Sequence, residues 1–134
     1  MIISGKISKR LIESAKNYAG ILFTPQMGKH IVLNIKTKKK IDELGYIEVD
    51  GYNQKGLPRE FIIAIQSKLT EEEQLITLAH EMVHAKQYAY GELNEEMTTW
   101  HGTKYDPDNM NYDDMPWEIE AESVALELYW KFNA

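Results

Sequence analysis

The chain predicts an α+β fold in a single domain, residues 1–134. Three observations predict it. Two long stretches, about 71–90 and 116–132, carry apolar residues at helical spacing, and residues 7–23 do the same nearer the N-terminus. Three short runs between residues 31 and 66 are rich in β-branched residues or alternate in polarity. At 43% hydrophobic and 10% aromatic, the 134 residues can build one core and are not those of a disordered chain.

The first helix is expected over residues 7–23, because Ile7, Leu11, Ile12, Ala15, Tyr18, Ala19 and Leu22 form one apolar face. Thr24-Pro25 and Gly28 break it, and its expected role is to cover a sheet. Three strands should follow, at 31–35, 45–50 and 59–66, with residues 37–40 in the connection. The third strand is apolar on both faces, which predicts cover on both. Short connections favour an antiparallel or mixed sheet. Thr70-Glu71-Glu72-Glu73 then matches a helix capping box, and Gly91 is placed to stop that helix. Residues 92–115 lack a period but hold Trp100, Tyr105 and Tyr112, so an ordered loop near a cleft is expected. Pro116 suits the first turn of the last helix.

Within the 71–90 helix stands His80-Glu81-Met82-Val83-His84. Residues four apart share a helix face, so both imidazoles point to one place, as a zinc ion (Zn2+) requires. Zinc lowers the pKa of a water it binds, and the neighbouring Glu81 carboxylate is the general base that can take the proton. Leu75, Leu78, Ala79, Met82 and Val83 form the buried stripe; Thr77, His80, His84 and Gln87 or Tyr88 form an adjacent one lining the cleft. In the last helix, Ala121, Val124, Ala125, Leu128 and Phe132 face inward. Extending that face backwards reaches Glu118, while Glu120 falls with Glu127 and Lys131 on the solvent side. A carboxylate aimed at the core is costly unless it is paired or bound to metal.

Composition narrows the rest. There is no cysteine, so disulfides, thiolate metal sites and cysteine nucleophiles are excluded. The first residues lack the apolar run of a signal peptide and no segment is long enough to span a membrane, which points to a cytoplasmic protein. Residues 1–68 carry twelve Lys/Arg against six Asp/Glu, and residues 69–134 three against fifteen. Nucleic acid is a conceivable partner for the basic half but is not favoured, because Lys36, Lys38, Lys39 and Lys40 have no interleaved aromatics.

At these residues the chain resembles the zincin metallopeptidases. The H-E-x-x-H of residues 80–84, followed by Pro116-Trp117-Glu118-Ile119-Glu120-Ala121-Glu122, resembles the gluzincin branch, in particular minigluzincins and ImmA/IrrE-like peptidases. Val83 departs from the glycine common before the second histidine in ImmA-type proteins. The resemblance implies a minimal zincin fold: an N-terminal helix, a small three-stranded sheet, the H-E-x-x-H helix and a C-terminal glutamate helix. It implies zinc on His80, His84 and Glu118, catalysis by Glu81, and a peptide or protein substrate paired to the strand before the motif helix, 59–66. Trp100-His101-Gly102 also resembles SprT-like, DNA-associated proteases, in which a His-Gly pair supplies a third histidine ligand. That leaves His101 as the alternative to Glu118. Tyr112, Tyr105 and His101 are the candidates to stabilise an oxyanion, and a zinc-containing regulatory or binding module with little catalysis is the reading from another class.

Overall fold

The computed structural model describes residues 1–133. The fold is α+β: helices α1 (Lys9–Leu22), α2 (Pro25–Gly28), α3 (Glu71–Ala89) and α4 (Pro116–Asn133) accompany strands β1 (Ile2–Ser4), β2 (Val32–Lys38), β3 (Gly45–Tyr52) and β4 (Pro58–Gln66), and a small hairpin of β5 (Thr99–Trp100) and β6 (Thr103–Lys104). The main sheet has four strands in the order β1-β2-β4-β3, one more than expected. β1 is the addition; three residues are too few to show a period. β1, β2 and β4 run parallel, and β3 is antiparallel to β4.

The expectation that the strand at 59–66 offers a free edge is overturned. β4 is paired on both sides, to β2 and to β3, because the chain passes over one strand position and returns between its neighbours. The edge belongs to β3. Residues 37 and 38, expected in a connection, extend β2 instead.

Register explains which face is covered. Leu33, Phe61 and Val49 lie abreast, as do Ile35, Ile63 and Ile47, and Thr37, Ile65 and Gly45. This face meets α3 where Gly45 approaches Thr77 and Glu81. The opposite face carries Lys36, Lys38, Glu48 and Glu60, half-buried or exposed. Cover on both faces of β4 was expected; on the outer face Ala64 is buried but Ile62, abreast of Asn34 and Glu48, only half so. The core lies between the inner sheet face and the helices, around Tyr18, Leu33, Phe61, Leu78, Met82 and Trp117.

Helix ends follow local chemistry. Ser8 accepts from the Leu11 amide, which starts α1 two residues later than its apolar face suggested. At α3 the capping box is complete: the Glu73 amide donates to Thr70 Oγ1 at 3.2 Å, and the Thr70 amide to Glu73 Oε1 at 3.0 Å. Gly91, with φ +71°, turns the chain away after α3, and the Arg59 guanidinium donates to the Ala89 carbonyl at 2.8 Å. Among the described residues no helix is long and apolar enough to cross a membrane.

Candidate metal centre

The site is built where α3 and α4 pack together. His80 and His84 stand one turn apart on α3, their rings 4.9 Å between centroids. Glu118 comes from the first turn of α4 and faces inward, as its spacing from Ala121 and Ala125 predicts. Glu118 Oε1 lies 3.1 Å from His80 Nε2 and 3.0 Å from His84 Nε2, and one donor atom from each residue falls within 4.8 Å of the others. Tetrahedral zinc with nitrogen and oxygen ligands at about 2.0–2.2 Å needs donors roughly 3.4 Å apart. The trio matches that ion in donor chemistry, and its two carboxylate–imidazole separations, 3.1 and 3.0 Å, come near that spacing. His84 is 3% exposed and Glu118 6%, so the trio sits in a recess rather than on an open surface.

The recess belongs to a cleft of about 710 Å³ bounded by α3, α4, β3 and Met97, and Glu81 lines it with both histidines. Burial pushes the Glu81 carboxyl up from its ordinary value, against the opposing effect of His84 and His80. For Glu118 burial also acts upwards, but hydrogen bonds from His80 and His84 prevail and hold it well below the usual carboxylate range. For His84 burial acts downwards, while the hydrogen bond and charge of Glu118 raise it above the usual imidazole value.

Tyr112 arrives from a short 3₁₀ turn, Tyr112–Asp114, directly before α4. Its hydroxyl donates to Glu118 Oε1 at 2.8 Å, and burial followed by Glu118 pushes its pKa up. Tyr105 instead packs edge-on against Trp117, 5.7 Å between centroids, and does not line the cleft. His101 is not brought to the trio. It is exposed at the tip of the β5–β6 hairpin, with φ +47° followed by Gly102 at φ +82°, the two left-handed positions of a tight type I′ turn. Its ring packs on Trp100, 4.4 Å between centroids. The His-Gly pair thus serves turn geometry.

Two placements differ from the helical reading. Gln87 is not a cleft-lining side chain but lies fully buried behind His84. Its Oε1 is 2.8 Å from His84 Nδ1, and its Nε2 donates to the Trp117 carbonyl at 3.0 Å and to Glu120 Oε1 at 3.1 Å. Glu120, expected on the solvent side of α4, is half-buried and reaches this amide. The helical wheel gave its direction from the α4 axis but not that Gln87 of α3 lies within reach on that flank. The signal for Gln87 was its place three residues after His84, on the same side of one helix. Gly45 was also passed over: a Cβ there would stand 2.6 Å from Thr77 Cγ2 and 2.8 Å from the Ala64 carbonyl oxygen. Its missing side chain lets α3, and Glu81 with it, sit close to β3.

No protein-family model, curated protein or solved structure matches this chain.

Proposed function

We propose that the chain is a zinc-dependent peptidase of the gluzincin type, with His80, His84 and Glu118 as metal ligands and Glu81 as general base. The observation that carries this reading is the meeting of two imidazole nitrogens and a carboxylate oxygen within 4.8 Å, beside a buried glutamate in one cleft. Zinc held there would supply an acidified water and polarise a peptide carbonyl. The Glu81 carboxylate takes a proton from the attacking water and delivers it to the leaving amine. The Tyr112 hydroxyl is the side-chain donor best placed to turn towards the developing oxyanion.

A polypeptide substrate is supported by β3. Its outer edge is unpaired, and Gly45, Tyr46 and Ile47 line the cleft, so an extended chain can add to the sheet beside Glu81. The buried Glu81 favours hydrolysis over a module that merely holds zinc, which has no use for a base in its cleft. The place of His101 at the hairpin tip, away from the trio, supports Glu118 over His101 as the third ligand. A cytoplasmic location belongs to the same proposal and is read out by fractionating cells.

The test is a pair of measurements on purified protein. Wild type should bind about one zinc per chain and cleave an unstructured protein such as casein in a zinc-dependent way. Glu81→Gln should retain the metal and lose about 10²–10⁴ in rate, since an amide cannot accept the proton. Hydrolysis at the wild-type rate by Glu81→Gln removes Glu81 from the mechanism.

A further inference from the structure

His84 is held from behind by a chain of two residues that leads back to α4. Gln87 has a definite orientation, because its amide nitrogen faces two acceptors, the Trp117 carbonyl and the Glu120 carboxylate. Its amide oxygen must therefore face His84 Nδ1, at 2.8 Å. An amide oxygen can only accept, so Nδ1 carries the proton. In the metal-free ring Nε2 meets Glu118 Oε1 at 3.0 Å; with Nδ1 keeping its proton, Nε2 is the nitrogen able to give one up and offer its lone pair where His80 and Glu118 converge.

We propose that Gln87 and Glu120 are positioning residues for the metal centre: Glu120 anchors the Gln87 amide, and Gln87 fixes the His84 ring as its Nδ1–H tautomer with Nε2 presented to the metal. The inference rests on the metal reading of His80, His84 and Glu118. α4 then acts on the centre twice. Glu118 enters it from the front, and Glu120, two residues on, reaches His84 from behind through α3's own glutamine. Ligating histidines commonly donate their second nitrogen to a carboxylate, a backbone carbonyl or water. Here a side-chain amide stands between imidazole and carboxylate, so the carboxylate sets orientation without itself taking the imidazole proton.

Three variants test this: Gln87→Ala, Glu120→Ala and Glu120→Gln. In metal-free protein the Nδ1 proton of His84 should exchange slowly with solvent in wild type and faster in Gln87→Ala, whatever Nε2 carries. Zinc affinity should fall by about 10–100-fold in Gln87→Ala. Glu120→Ala should lose less in the same direction, roughly ten-fold, the lower end of that range. Glu120→Gln should be restored towards wild type, because its amide oxygen still accepts from Gln87. The Gln87→Ala/Glu120→Ala double variant should bind no more weakly than Gln87→Ala, since Glu120 works through Gln87. Gln87 is buried, so if its variant does not fold, the half-exposed Glu120 pair carries the test alone. A wild-type His84 without a protected Nδ1 proton overturns the proposal. So does equal zinc affinity in wild type, Glu120→Ala and any folded Gln87→Ala. A wild type that binds no zinc sinks the metal reading instead, and the Nδ1 proton measurement is independent of that result.

Discussion

A single oxygen, Glu118 Oε1, has three polar side-chain atoms around it: His80 Nε2 at 3.1 Å, His84 Nε2 at 3.0 Å and Tyr112 Oη at 2.8 Å. In the metal-free protein this crowding has a pH signature. A carboxylate with a depressed folded pKa contributes stability above its unfolded pKa and loses it as pH falls through the folded value. A histidine with a raised folded pKa contributes below its unfolded pKa and loses that as pH rises through the folded value. Glu118 is of the first kind and His84 of the second. Glu81, raised by burial, regains some stability on acidification and blurs the acid side. The alkaline side is therefore decisive: with chelator present, melting temperature should drop as pH rises above the ordinary histidine range. Glu118→Ala should flatten that limb, and an identical limb in both proteins removes the pair as its origin. With zinc, Glu118→Ala should lose tight binding while His101→Ala keeps it, measured by competition with a chelating dye. Collapse of affinity in His101→Ala alone would restore the SprT-like ligand set. Much of this was legible in the sequence, because helical spacing alone turns His80, His84 and Glu118 inward. What it could not supply was the position of a loop residue, so His101 stayed open until its hairpin was placed.

At the scale of elements, α3 is the scaffold, and its two constraints lie at opposite ends of what a sequence reveals. The capping box at Thr70 is local and was read directly from Thr70 and Glu73. Thr70→Ala should cost about 1 kcal/mol in a denaturant melt. The close approach at Gly45 is non-local; nothing near it in sequence says that Thr77 and the Ala64 carbonyl will lie within 3 Å of a Cβ. Gly45→Ala should therefore force β3 and α3 apart, destabilising by about 1–3 kcal/mol. It should also reduce turnover more than Thr70→Ala does, because the displaced strand borders Glu81. Turnover unchanged by a folded Gly45→Ala would separate β3 from the substrate site. The order of the sheet was hidden for a related reason. Alternation identified the strands at 45–50 and 59–66, but pairing partners depend on whether the chain passes over a position, and both routes present the same alternation.

For the whole molecule, the site joins elements that the chain separates. His80 and His84 lie more than thirty residues before Glu118, with the β5–β6 hairpin between them. A metal bound to both helices closes that span, and unfolding must release it. Binding to the native state alone stabilises by RT ln(1 + [L]/Kd), about 2.7 kcal/mol at a free concentration 100 times Kd. For a domain of this size each kcal/mol moves the melting temperature by roughly 3–4 °C, so zinc at that excess should raise it by about 10 °C. Chelator should reverse the rise. At the same zinc concentration Glu118→Ala should abolish most of it, because a site left with two ligands on α3 binds the metal more weakly. His80→Ala and His84→Ala should abolish it too, through lost affinity. A full rise in Glu118→Ala at the same zinc concentration as wild type would mean that Glu118 does not hold the metal, and the third ligand would have to be sought elsewhere in the fold.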